Sequence, residues 1–147
     1  MGNSNNSVSN RNEAYHSIIE KIPEKRKLIF ELIKENNIST AQELSEKYLI
    51  PINEITGRIT ELKEMCLIKE FGSKENKWTK HNNTSYQVVG SDSERIDLIN
   101  LKFVEYREIR DNLVNDSNLN LSHISKKLLR KELNSIQKKI NNLEKLQ

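Results

Sequence analysis

Apolar residues recur at helical spacing from residue 13 onward. Tyr15, Ile18, Ile19 and Ile22 fall at i, i+3, i+4 and i+7, which predicts an amphipathic helix. Pro23 interrupts it and suits the first turn of a new helix, where its missing N–H costs nothing. Leu28, Ile29, Leu32 and Ile33 predict a wide apolar face on that second helix, which ends near Asn36-Asn37. Thr40 and Glu43 have capping-box spacing, and Ala41, Leu44 and Tyr48 share one face of the short helix that follows. After Leu49-Ile50-Pro51, the stripe Ile52, Ile55, Ile59, Leu62 predicts a fourth helix running to about Met65. Residues 1–12 hold almost nothing to bury and are expected to form a disordered arm.

The period changes at Leu67. Residues 67–71 and 84–89 read as strands, with Tyr86 and Val88 on one face. The polar stretch 72–83 between them predicts a hairpin with a long tip. Gly90-Ser91-Asp92-Ser93 breaks the hairpin and caps a further helix. In that helix Ile96, Ile99, Phe103, Tyr106 and Leu113 approach a heptad seam, with Arg110 filling the gap, which suggests a coiled coil. Asn115–Asn118 is expected to be a turn. The last helix carries Leu121, Ile124, Leu128, Leu129, Leu133, Ile136, Ile140 and Leu143, with a phase slip at 128/129. The expected organisation is an arm over 1–12, a domain over 13–90 and a helical hairpin or dimerisation tail over 91–147.

From Leu28 to Val89 the chain resembles the winged helix-turn-helix family. The residues that carry the resemblance are Thr40-Ala41-Gln42-Glu43-Leu44, Pro51 through Lys63, and Leu67-Ile68. Ile52–Leu62 looks most like small winged-helix proteins of phages and mobile elements. The whole order, with two helices after the wing, is similar to MarR-type and PadR-type dimeric repressors, although the wing lacks the Asp-x-Arg signature usual in MarR-type proteins. The resemblance implies a mainly α fold with a small β-hairpin, a winged domain followed by two long helices, and binding of double-stranded DNA.

In such a pair the second helix can lie in the major groove. With Ile55, Ile59 and Leu62 inward, a rotation of about 100° per residue places Asn53, Gly57, Thr60 and Glu64 outward, with Thr56 and Glu61 beside them. Asn53 is in the first turn and suits the N6/N7 edge of adenine. Thr56 suits a thymine methyl or a phosphate. Gly57 allows close backbone approach, or merely weakens the helix. Arg58 reads equally as a phosphate contact and as an i,i+4 partner of Glu54. Glu54, Glu61 and Glu64 leave this helix net acidic, which opposes binding to phosphate. Lys74, Lys77 and Lys80, with His81 and against Glu75, lie along the hairpin tip and suit phosphate or minor-groove contact, or form a merely solvated loop. Trp78, the single tryptophan, is expected to pack the wing base onto the domain in preference to stacking on a base. The helix starts at Thr40 and Ile52 are further candidate phosphate contacts.

The 147-residue chain has net charge +3, which permits nucleic-acid binding without demanding it. Its distribution is more telling: residues 91–116 carry net −3 and 117–147 net +5, as expected of two helices lying side by side. A 5% aromatic content is low for a deep ligand cavity. His16, His81 and His123 are isolated, no Cys/His spacing fits zinc, and no Gly-rich loop precedes a helix, so neither enzyme, metal nor cofactor is expected. Cys66 stands where the winged-helix family commonly has glycine and reads as structural. Asn6 breaks the myristoylation pattern begun by Met1-Gly2. With one cysteine, no leader pattern and no apolar run near the ~20 residues of a membrane span, the chain is expected in the cytoplasm without membrane contact.

These readings converge on a dimeric transcriptional regulator. Ile96, Ile99, Phe103, Tyr106, Leu113, Leu133, Ile136, Ile140 and Leu143 are the expected dimerisation residues, unless the tail closes on itself. The alternative is an interaction module, an inhibitor or assembly factor that grips another protein through the winged helix and tail.

Overall fold

The computed structural model describes residues 13–147, so the arm expected over 1–12 lies outside the described residues. Helix α1 covers residues 13–21 and buries Tyr15 and Ile19, with Ile22 buried just beyond it. Pro23 precedes α2 (Glu24–Glu35), and its carbonyl accepts from Lys27 N–H at 2.9 Å. The buried face of α2 is Ile29, Phe30, Leu32 and Ile33. Leu28, expected inward, is half exposed, and Phe30 takes its place. The stripe is therefore rotated by part of a turn from the expected one.

The two-residue strand β1 (Ser39–Thr40) leads directly into α3 (Ala41–Tyr48). The capping box forms: Thr40 Oγ1 accepts from Glu43 N–H at 3.1 Å, and Thr40 N–H donates to the Glu43 carboxylate at 3.0 Å. Leu49 ends α3 in the left-handed region at φ 56°. Ser45 then donates to Ile50 O at 2.7 Å, which satisfies a turn carbonyl. Helix α4 (Ile52–Glu64) starts on Pro51, whose carbonyl accepts from the Glu54 and Ile55 amides. It buries Ile55, Ile59 and Leu62, while Ile52, expected in the stripe, is 41% exposed.

After α4 the chain turns through a Schellman motif. Leu67 N–H donates back to Leu62 O and Cys66 N–H to Lys63 O, both at 3.0 Å, with Cys66 at φ 56°. A buried cysteine thus stands in a conformation that favours glycine. Its side chain fills core space that glycine would leave empty, which offsets part of the backbone strain.

Strands β2 (Ile68–Glu75) and β3 (Asn82–Val88) are longer than expected and leave only 76–81 as the tip. The sheet order is β1-β3-β2, all antiparallel. Between Glu70↔Tyr86 and Ser73↔Thr84 the register shifts, leaving Phe71 and Gly72 opposite Ser85, a β-bulge with Gly72 at φ 69°. Strand β1 has no sequence signal of its own. Ser39 and Thr40 become a strand only because Tyr86 and Ser85 arrive beside them.

The core of this unit gathers Ile29, Phe30, Ile33, Leu44, Ile55, Ile59, Leu62 and Leu67. Two compact units divide the chain, one up to Arg95 and one over Ile96–Gln147. Helix α5 (Asp92–Ser117) contributes its first residues to the winged unit. Ser91 Oγ caps it by accepting from Glu94 N–H, the Glu94 carboxylate pairs with Lys69 and accepts from Gly90 N–H, and buried Arg95 donates from Nε to Met65 O at 3.1 Å. These bonds carry the winged unit five residues past 90.

In the second unit α5 continues through the Asn115–Ser117 stretch expected as a turn, and the break falls at residues 118–122. Ser122 Oγ caps α6 (His123–Glu144) by accepting from Ser125 N–H, so Leu121 precedes the helix. Ile99, Phe103, Ile136, Ile140 and Leu143 are buried. Tyr106, Leu113 and Leu133 are half-buried, and Ile96 is exposed. Lys139 Nζ lies 5.9 Å from the Tyr106 ring centre, so a basic side chain of α6 reaches an aromatic one of α5. The phase slip resolves into two faces: Leu129, Leu133, Ile136, Ile140 and Leu143 form one seam, whereas Ile124 and Leu128 stand 72% and 60% exposed on another. Mainly helical, with a small three-stranded sheet, the chain is a winged helix-turn-helix unit followed by two long helices.

Candidate nucleic-acid interface

The outer face of α4 is Asn53, Thr56, Gly57, Thr60 and Glu64, all exposed. Burial of Ile55, Ile59 and Leu62 on the opposite side fixes this direction. Thr56 Oγ1 donates to Asn53 O at 3.2 Å and Thr60 Oγ1 to Thr56 O at 3.0 Å. Each hydroxyl oxygen keeps acceptor capacity, and both residues are exposed. A Cβ at Gly57 would meet nothing within 4 Å, so the helix itself has room for alanine there.

Arg58 pairs with Glu61 at 2.7 Å, not with Glu54. The same Glu61 oxygen accepts from Arg26 Nε of α2, also at 2.7 Å. Two guanidinium groups therefore face one carboxylate, and the acidity expected of α4 is overcompensated at that position. Lys63 pairs with Glu70 of β2 at 2.5 Å. Glu54 and Glu64 remain as exposed carboxylates on α4. Arg26 had no sequence signal for this role, because the fold brings together residues 35 positions apart.

Thr40 is buried and its hydroxyl is occupied by the α3 cap, which removes its side chain from the candidate contacts. Lys74 is not at the tip. It lies in β2, where its ammonium donates to Ile38 O at 3.0 Å and to the Glu43 carboxylate at 3.1–3.2 Å. It clamps the wing beside the start of α3. Lys77 and Lys80 are exposed in the tip, with His81 next to them. Asn76 organises that turn: its Oδ1 accepts from Trp78 N–H at 2.8 Å and Thr79 N–H at 3.1 Å, and its own N–H donates to His81 O at 2.8 Å. Trp78 is 81% exposed, so it does not pack the wing base onto the domain as expected.

The dimerisation candidates separate in the same way. Ile99, Phe103, Ile136, Ile140 and Leu143 are covered by the chain's own atoms, so they are not an open stripe awaiting a partner. The large apolar side chains left exposed in the second unit include Leu101, Val104, Ile109, Val114, Leu119, Ile124 and Leu128. Among the described residues no group of three His, Cys, Asp or Glu side chains could hold a metal ion, and no helix is long and apolar enough to cross a membrane.

No family model and no curated protein matches the chain. Among solved structures, it is similar to a mutant of Lactococcus lactis ZitR at 16% identity and TM-score 0.37, over 80% of this chain and 75% of that one. An apo-form double mutant of the same protein is similar at 16% identity and TM-score 0.37, over 90% and 94%. A crystal structure described as a transcriptional regulator is similar at 10% identity and TM-score 0.40, over 94% of this chain and 90% of that one.

Proposed function

We propose that this protein binds double-stranded DNA sequence-specifically, with α4 in the major groove and the wing on the flanking backbone, and regulates transcription in the cytoplasm as a homodimer. The observation that carries the reading is the uncovered face of α4: Asn53, Thr56, Gly57 and Thr60 are exposed together while the opposite face is core. Neutralisation of Glu61 by Arg26 and Arg58, and the Lys77/Lys80 pair on the wing, support it electrostatically. Exposed apolar residues of the second unit, such as Leu101, Val104, Ile124 and Leu128, offer a surface for a second copy. The likeness of Ile52–Leu62 to winged-helix proteins of phages and mobile elements supports a regulator of that type.

Exposed Glu54 and Glu64 favour a second reading, in which the same face grips a basic protein surface. Selection of genomic fragments with the purified protein separates the two. The DNA reading expects a fragment enriched, with affinity falling steeply as salt rises. A dimer expects half-sites about 10 bp apart or a multiple of that. Absence of any enriched fragment at low salt would overturn the DNA reading. Light scattering tests the dimer, and a monomer at micromolar concentration would refute it.

A further inference from the structure

Trp78 is the one tryptophan of the chain, and it stands 81% exposed at the wing tip. A large apolar ring so placed is not held there by lack of structure. The Asn76 carboxamide fixes the backbone on both sides of it, and Lys80 N–H closes the turn on Asn76 O at 3.0 Å, with Lys80 itself at φ 61°. The cleft that Trp78 borders together with Gln42, Glu43 and Glu46 of α3 is only about 110 Å³ and leaves the ring uncovered. Within the tip, residues 76–81, the charged side chains are Lys77 and Lys80, one on either side of Trp78 in sequence, while the carboxylates of Glu43, Glu46 and Glu75 line the cleft behind it. An apolar wedge flanked by cations matches a surface that is anionic at its rims and apolar between them. The minor groove of DNA is such a surface: phosphates line both edges, and base faces become accessible when a step is opened.

We infer that Trp78 is a wedge that enters the minor groove beside the α4 footprint and stacks on a base, with Lys77 and Lys80 on the phosphates of the two groove edges. This rests on the DNA-binding reading above. It adds a residue that acts on DNA shape, because a ring inserted at a step unstacks and bends the duplex. Steps that open easily, such as TA and CA/TG, are therefore preferred under the wing, where side chains make no base-edge hydrogen bonds.

The single tryptophan makes the test direct. The full-length protein is titrated with a labelled duplex of about 30 bp, enough for three turns of DNA, trimmed from the fragment best enriched in the selection. Anisotropy of the label reports binding, and indole emission reports Trp78. The expected result is that emission is quenched, and access of acrylamide to the indole falls, in step with the anisotropy. Trp78→Ala should weaken binding about tenfold and abolish bending in a circular-permutation gel assay, while Trp78→Phe retains most of both. Anisotropy showing a bound complex with unchanged emission and acrylamide access would overturn the wedge and leave DNA binding intact. Absence of any anisotropy change would overturn both. The Trp78 side chain is largely exposed, and circular dichroism of Trp78→Ala checks that the fold is unaltered.

Discussion

The Tyr15 hydroxyl donates to the carbonyl of Val89 at 2.6 Å, joining two buried residues 74 positions apart. The bond ties α1 to the end of the wing strand, just before the chain leaves for α5. Val89 N–H donates to Leu67 O, so both backbone groups of Val89 are satisfied within the unit. Tyr15→Phe should cost about 1–2 kcal/mol in urea unfolding, because it leaves a buried carbonyl without its donor.

The same bond has a pH signature. Burial pushes the Tyr15 hydroxyl up from 10.0 to about 12; Arg95 opposes the rise, and Glu94 and Asp92 add to it. Between these values the unfolded chain releases a proton that the folded chain keeps. The contribution is complete below pH 10 and is lost as pH rises towards 12, on the order of 2 kcal/mol. Unfolding midpoints of wild type and Tyr15→Phe should therefore converge across that range. Parallel curves would refute the shift.

Glu94 works at the other end of the scale. The hydrogen bond from Lys69, then that from Gly90 N–H, holds its carboxyl below the ordinary carboxylate value. Its contribution is present above the unfolded pKa and lost as pH falls through the folded one. Glu94→Gln should flatten the acid limb of the stability profile while changing stability at pH 7 modestly, since the side chain is one-third exposed.

On the groove helix, Asn53→Ala should weaken specific binding by about 1–3 kcal/mol and relax preference at one base pair. Equal affinity of mutant and wild type for a selected fragment would remove Asn53 from the interface.

Glu61→Gln should act in the opposite direction. It removes a charge held by Arg26 and Arg58 and leaves both guanidinium groups facing the α4 flank. Affinity for all DNA sequences should rise, with a stability loss of about 1 kcal/mol or less because these ion pairs are partly solvated. A competition assay against mixed-sequence duplex checks it.

For the wing, replacing Lys77 and Lys80 with Ala should flatten the slope of log affinity against log salt by about 2, one per lost phosphate contact. Lys74→Ala should change the slope less and the stability more, since its ammonium already bridges Ile38 O and Glu43. An unchanged slope in the Lys77/Lys80 variant would place the tip away from DNA.

Local chemistry was the legible part of this fold. Thr40 and Glu43 announce the α3 cap three residues apart, and Ile55, Ile59 and Leu62 announce which way α4 faces. What the sequence hid depends on partners far along the chain. Strand β1 exists through pairing with Tyr86 and Ser85, Glu61 is neutralised by Arg26, and Lys74 finds Glu43 across 31 residues. Leu28 and Phe30 both fit an apolar stripe, and the direction from which neighbouring elements approach decides between them. For Trp78, composition alone favours burial, while the short-range bonds of Asn76 hold the backbone of the exposed tip.

The bulge at Phe71-Gly72 has a wider consequence for the wing. Strand side chains alternate, so one added residue exchanges the two sides for everything beyond it. Opposite Asn83, Lys74 shares a side with Ser85, Gln87 and Lys69; in an unbroken register it would share one with Ile68 and Tyr86. Gly72 therefore acts as a parity element: the odd count it introduces is what turns Lys74 towards Glu43. Deleting Gly72 would restore the even count and turn the distal half of β2 over, separating Lys74 from its partners with no change in any side chain.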